Sequence, residues 1–356
     1  MRIKILCLAL FFNLFASCEE IYKPDIMQVK NTLAVESHLT NDPNQNFVRL
    51  SMTRNFYSTD AVEWISGANV ELIENGVLNF KGTEVSPGYY TFQYTPIVGK
   101  SYVLWLSYQK FIYESEPIVM PPIPSIDSLY TKHKIEKNYV INGYGVPELF
   151  STPSREIYID ASITPQMQNY RFTWRAIIQW EYFPPVTSLE SSSKPLFGWR
   201  TKYNHENFNL AGPAEFSVSN EVRQHPILSL GYNGRQYLDS GTQVPANWII
   251  IVDQYGIPKV SNDFYKKLNS QFAAEGSLFD PAMAQVAGNM HCKNDPGKNI
   301  LGFFDVSSYR QYRYYFNFGT GPDYEVIQRR LNRYFDIPDH GCQESTHPAF
   351  WENNYY

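Results

Sequence analysis

A period-two alternation broken at short intervals by turn formers constrains the fold of this chain more than any other feature. It begins near residue 29. In "TLAVESHL", Leu33, Val35 and Leu39 fall on one side and Ala34, Glu36 and His38 on the other. In "VRLSMT", Val48, Leu50 and Met52 point one way and Arg49 and Ser51 the other. Successive side chains of a strand face opposite ways, so this pattern fits a sheet buried on one face. The intervening "TNDPNQN" is dense in residues that favour turns. Asn75-Gly76 sits between apolar flanks in "ANVELIENGVLNF", the strongest short hairpin signal. "GYYTFQY", "SYVLWLSY" and "FIYESEPIVM" follow closely. Several short strands with regular turns predict a β-sandwich of immunoglobulin-like size over residues 29–120.

A linker at 121–126 carries Pro121, Pro122 and Pro124, which force an extended link and forbid sheet pairing. Residues 127–356 are expected to form a second β-rich domain. "EIYIDASI" alternates cleanly. "YRFTWRAIIQW" sets Phe172, Trp174, Ala176, Ile178 and Trp180 against Arg171, Thr173, Arg175 and Gln179, the signature of a sheet wet on one side. "NWIIIVDQYG" reads as a buried strand, and "NILGFFDVSSY" and "RYYFNF" as late strands. "SNDFYKKLNSQFAAEG" predicts a helix with Ser261 or Asn262 as cap, Phe264, Leu268 and Phe272 spaced four apart, and a stop at Gly276. The stretch from Pro184 to Pro245 shows little clean alternation and is expected to hold short strands and much exposed surface. The fold class is thus mainly β: an N-terminal immunoglobulin-like sandwich followed by a second β-rich domain with one or two short helices.

The N-terminus sets an expected location. Arg2 and Lys4 precede an apolar run from Ile5 to Phe15 broken only by Asn13, the form of a secretory leader over residues 1–17. Ala16 and Ser17 then lead into Cys18, which resembles a bacterial lipobox with Phe15 in place of the usual Leu. Cys18 is the expected site of lipidation and residues 18–28 the tether. Several acyl chains, at about 0.8 kcal/mol per buried methylene, make a lasting anchor. Glu19 and Glu20 resemble the export signal of Bacteroidota surface lipoproteins, or equally the solvated start of a tether. The expected location is the outer membrane, lipid-anchored and exposed at the cell surface.

Thirty Lys and Arg against 35 Asp and Glu give a net charge of −5, or −7 once Arg2 and Lys4 leave with the leader. With no basic stripe, nucleic acid is not an expected partner. Cys7 leaves with the leader and Cys18 takes lipid, so Cys292 and Cys342 are expected to pair in an oxidising compartment. A closed loop of about 50 residues would contribute roughly 4 kcal/mol. His291, His340 and His347 near those cysteines raise zinc as an alternative, but the spacing of a zinc site is missing. No nucleophile elbow, metalloprotease helix or phosphate loop occurs. Asp160, Asp253 and Asp305 lie in or near predicted strands and are the only carboxylates suited to hydrolysis, which needs a defined pair separation. No catalytic residue, metal or cofactor beyond the lipid is expected.

The positive signal is aromatic: Tyr, Phe and Trp make 16% of the chain, more than core filling needs. Trp199, Tyr203, Phe208, Tyr232 and Tyr237, within the irregular stretch, are the candidate binding surface for a peptide or glycan.

"LAVESHLTNDP", "FVRLSMTRNF", "GANVELIENG", "MPPIPSIDSLY", "GNMHCKND", "LGFFDVSS" and the terminal "HPAFW" together resemble the family named domain of unknown function 4249. The chain departs at Gly198-Trp199, where relatives often carry a cysteine. The resemblance implies a Bacteroidota surface lipoprotein that works beside a TonB-dependent outer-membrane receptor, with no catalytic residue assigned. The function expected is that of a non-enzymatic capture or accessory partner. A structural subunit of a larger outer-membrane assembly, or a surface hydrolase of glycans or peptides, is the alternative.

Overall fold

In the computed structural model, which describes residues 32–317 apart from 55–57, 142, 168, 184–195, 205–206, 214–220, 232–235, 239–240 and 274–285, the alternating stretches form four sheets. The chain is mainly β, with several sheets and one α-helix among the described residues.

The first two sheets make a sandwich. One contains β1 (Leu33–Leu39), β2 (Phe47–Met52), β5 (Thr83–Ser86), β6 (Tyr89–Thr91) and β19 (Ile300–Val306), in the order β19-β1-β2-β6-β5. The other contains β3 (Asn69–Glu74), β4 (Leu78–Lys81), β7 (Ser101–Tyr108), β8 (Phe111–Ser115), β9 (Ile118–Val119) and β18 (Met290–Cys292), in the order β18-β8-β7-β3-β4 with β9 beside β7. Val35, Leu50, Leu72, Leu104 and Leu106 meet in one core between them. Each such side chain contributes roughly 1.5–3 kcal/mol by leaving water. Asn75 and Gly76 both take positive φ, 51° and 72°, so the Asn-Gly pair makes the tight β3–β4 turn its sequence predicts.

The sandwich is not confined to residues 29–120. β18 and β19 come from the segment the sequence assigns to the second domain, and they bring Met290, Cys292, Phe304 and Val306 into the first core. β19 lies parallel to β1. Its register needs Gly302, which sits at φ 119°; a Cβ there would lie 1.8 Å from the carbonyl oxygen of Val35. The Asn289 side chain accepts from Phe304 N–H (2.8 Å) and donates to its carbonyl (3.0 Å), pairing the backbone of β19 as a further strand would.

The second sandwich packs a three-stranded sheet against a six-stranded one. The first holds β10 (Ser128–Ile141), β11 (Pro147–Ser162) and β15 (Glu221–Gly231). The second holds β12 (Asn169–Phe183), β13 (Leu196–Tyr203), β14 (Asn209–Ala211), β16 (Gln236–Leu238), β17 (Gly241–Ile257) and β20 (Ser308–Asn317), ordered β13-β12-β17-β16 with β14 beside β12 and β20 beside β17. Ile157, Ile159, Phe172, Ile178, Trp248 and Ile250 fill the space between. Of the apolar face predicted for β12, Phe172, Ala176 and Ile178 are buried and Trp174 half-buried. Its opposite face is not uniformly wet, because Arg171 and Gln179 are buried too.

Residues 135–141 of β10 and 147–153 of β11 pair with each other beyond the reach of β15, which meets β11 only from Ser154 to Ser162. They form a two-stranded arm about 24 Å long at the usual rise per residue. Ile135, Tyr139 (76% exposed), Ile141 (71%) and Leu149 share one face of it in water.

The helix α1 (Lys259–Phe272) starts two residues before the predicted cap, with Pro258 at the N-cap and no side-chain cap. Ser261 and Asn262 are buried inside it, and Gly276 lies outside the described residues. The sandwiches are joined by side chains as well as by the chain. The "TNDPNQN" turn is capped by Asp42, whose carboxylate accepts from Asn44 N–H (3.1 Å). Its Asn41 side chain donates to the Tyr309 carbonyl (3.1 Å) and accepts from Tyr309 N–H (2.6 Å). Its Gln45 accepts from the Tyr255 hydroxyl (2.9 Å). The proline linker is held to β20, with Ile126 N–H donating to the Tyr312 hydroxyl (2.9 Å).

Candidate functional site

A cleft of about 410 Å³ opens where the two sandwiches meet. Its floor is the outer face of the first sheet. Glu36 and His38 alternate outward from β1, Phe303 and Asp305 do so from β19, and His38 stands opposite Phe47 of β2. The second sandwich supplies Arg171 from β12 and its cross-strand partner Tyr255 from β17. α1 adds Phe264, Tyr265 and Leu268. Phe208 closes one side. It is held because Asn269 accepts from its backbone N–H (2.8 Å) and donates to its carbonyl (2.7 Å), while its ring tilts against Tyr265 at 4.6 Å. A second hollow of about 450 Å³, lined by Trp174, Asn204, Asn207, Asn209 and Ile227, lies on the other side of Phe208.

Charge is concentrated on the cleft floor. Asp305 is 2% exposed and Arg171 8%. The Arg171 guanidinium is 3.7 Å from Asp305 Oδ2 and lies over the rings of Tyr255 (4.1 Å) and Tyr265 (5.1 Å). The Tyr265 hydroxyl donates to Asp305 Oδ2 at 3.0 Å. Burial pushes the Tyr265 phenol upward, and the Asp305 charge adds to it. Two polar atoms here are left unmatched: Arg171 Nε and Asp305 Oδ1 are both shut off from solvent without a hydrogen-bond partner. Each unmade bond of this kind costs about 1–3 kcal/mol.

His38 Nε2 lies 3.1 Å from Ser307 Oγ, 3.3 Å from Arg171 and 3.6 Å from Asp305 Oδ2. These are Ser, His and Asp, but one ring nitrogen faces all of them. A catalytic triad needs the carboxylate on Nδ1 and the serine on Nε2, so the arrangement is not a triad. Burial pushes His38 from 6.5 down to about 4, Asp305 opposing and Arg171 reinforcing the change. Its folded pKa lies below its unfolded one, so the unfolded chain takes up the proton first on acidification. Stability is therefore full above about pH 6.5 and declines toward pH 4, by on the order of 3 kcal/mol for this group. Denaturant titrations from pH 4 to 7 should show that slope, and His38→Gln should flatten part of it; equal slopes in both proteins would contradict the assignment.

The five candidate aromatic residues separate. Phe208 lines the cleft. Trp199 is buried, and Tyr203 is 56% exposed at the end of β13. Tyr232 lies outside the described residues, and Tyr237 sits in β16 with its side chain outside them. Asp160, Asp253 and Asp305 each accept from different donors, although the charges of Asp253 and Asp305 both act on Arg171 and Tyr255. Asp160 accepts from Ser128 Oγ (2.9 Å) and Gln224 N–H (2.7 Å), and Asp253 from the Tyr309 hydroxyl (2.8 Å) and Gln311 (2.9 Å). Cys292 is a free, buried thiol 3.4 Å from Asn294 Oδ1, while Cys18 and Cys342 lie outside the described residues. His291 faces Glu114 (3.4 Å) and Glu116 (3.8 Å), and no cluster of three metal-ligating side chains occurs among the described residues. The sequence did not single out His38, Arg171, Tyr255 or Tyr265. They sit on strand faces and a helix whose polar sides look like solvated ones; only the packing shows them covered.

Residues 19–313 match the family described as domain of unknown function (DUF4249). No curated protein and no solved structure matches the chain.

Proposed function

The chain belongs to the DUF4249 family, and from that premise we propose that it is a non-enzymatic binding protein, lipid-anchored through Cys18 at the outer face of the outer membrane, that captures cargo for a TonB-dependent receptor. The observation that carries the binding half is the cleft between the sandwiches. It has the size of a small-ligand site, aromatic walls and a few fixed polar groups. The leader and Cys18 support the anchor, and residues 18–28 give reach. Tethering raises the effective concentration of the captured group near the receptor, so modest intrinsic affinity suffices. The test is native purification from membranes with mass analysis of the mature N-terminus. A Cys18 carrying diacylglycerol and an N-acyl chain, with a β-barrel receptor co-purifying, is the expected result. An unmodified cysteine on a freely soluble product would overturn the reading.

The apolar face of the arm favours a second reading, a structural subunit of a larger outer-membrane assembly. Exposed apolar patches mark contact sites, and an isolated two-stranded ribbon is marginal in water. In that case Tyr139→Lys with Ile141→Lys abolishes receptor recovery while leaving the cleft intact.

A further inference from the structure

We propose that the cleft takes a short extended peptide segment, one residue of which lays an apolar side chain among Phe47, Phe208 and Phe264 and sets its backbone N–H and C=O on Asp305 and Arg171. This rests on the binding function above and names the class of ligand. Three observations lead to it.

The first is charge. Arg171 and Asp305 face each other at 3.7 Å, and burial keeps His38 neutral. The floor therefore has no excess charge to reward a free carboxylate or ammonium, and it suits a neutral dipolar group. The second is the pair of unmatched atoms. Arg171 Nε lacks an acceptor and Asp305 Oδ1 a donor; both are closed to solvent, so a guest reaches them only when the two side chains, which line the cleft, turn toward it. The last torsion of an aspartate is soft, so a small turn of the carboxylate presents Oδ1 to a guest. In an extended chain the N–H and C=O of a single residue point the same way, as in the hydrogen-bonded pairs of an antiparallel sheet. One such residue supplies both missing partners at once. The third is the rest of the lining. Glu36 is held by Arg49 (3.3 Å), Ser37 Oγ donates to the Phe303 carbonyl (3.3 Å) and His38 faces Ser307. The remaining walls are rings and aliphatic groups. A sugar would bring several hydroxyls and find partners for two, leaving the others desolvated without compensation. A peptide residue brings two polar groups and an apolar side chain, which matches what is offered.

The test is calorimetric titration of the full-length protein with N-acetyl-L-phenylalanine amide, with N-acetylglycine amide, glucose and N-acetylglucosamine in parallel. Saturable binding of the phenylalanine derivative, at least about tenfold tighter than the glycine one, is expected; tenfold corresponds to about 1.4 kcal/mol. Leu268→Trp, on the half-buried face of α1, fills the cleft and should remove that binding in a protein that still unfolds in one cooperative transition. Asp305→Asn should weaken it about tenfold where the variant folds. Saturable binding of a sugar and not of the phenylalanine derivative overturns the ligand class and leaves the capture function standing. Binding of nothing, or binding unchanged by Leu268→Trp, overturns the cleft as the site. Receptor co-purification is read separately, so failure of the capture function itself is distinguishable from both.

Discussion

Gly302→Ala is expected to cost the protein about 3–5 kcal/mol, a large part of the 5–15 kcal/mol that holds a folded domain together. Two penalties combine. A residue with a Cβ is strained at φ 119°, a cost of order 1–3 kcal/mol. The added methyl would also lie 1.8 Å from the Val35 carbonyl oxygen and 2.7 Å from its carbon, both backbone atoms that cannot rotate away. Nor can β19 retreat, because Gly288 packs so closely behind that a Cβ there would be 1.6 Å from the Gly302 carbonyl oxygen. The parallel β1–β19 pairing must therefore separate locally. Urea denaturation of the two proteins measures the loss. A midpoint shift equivalent to less than 1 kcal/mol would show that the close approach is not required.

Asp305→Ala should be comparably severe for an electrostatic reason. It leaves the Arg171 cation 8% exposed, without a carboxylate, between two tyrosine rings. Removing one member of a buried ion pair costs about 3–5 kcal/mol, whereas replacing both by apolar groups of similar volume is often neutral or stabilising. Asp305→Leu combined with Arg171→Met should therefore recover most of what Asp305→Ala loses. The cycle is read from denaturation midpoints. Equal losses in the single and double variants would mean that the pair contributes shape rather than charge compensation.

Local features of the fold were legible where local chemistry decides them. Asn75-Gly76 specified its own turn, "TNDPNQN" the turn before β2, and the alternation around Leu33 and Leu50 the buried face of each strand. Pairing partners were not legible. Nothing in "NILGFFDVSS" records that its strand lies beside "LAVESHL" rather than beside its sequence neighbours, because alternation fixes which face is buried and not which edge is met. For the same reason a docked face reads like a wet one. Arg171 and His38 occupy the polar positions of amphipathic strands; the other sandwich and α1 cover Arg171 almost fully and leave the His38 side chain 13% exposed. The hairpin of β10 and β11 escaped notice because Lys132, Lys134, Glu136 and Lys137 mask the apolar positions at Ile135, Tyr139 and Ile141. Aromatic content pointed toward Phe208, yet Trp199 shows that a ring in an irregular stretch can equally belong to the interior.

The use of residues 290–306 to finish the first sandwich fixes an order of events in the life of the chain. Synthesis runs from the N-terminus, yet the Ser37 hydroxyl finds its acceptor on Phe303, 266 positions later. Until that stretch has left the ribosome, β1 carries an open edge and the first core lacks Phe304 and Val306. The earliest part of the polypeptide is thus among the last to close, and long-range pairing of this kind folds slowly. Through that interval the unpaired edge of β1 is a ready template for the wrong strand.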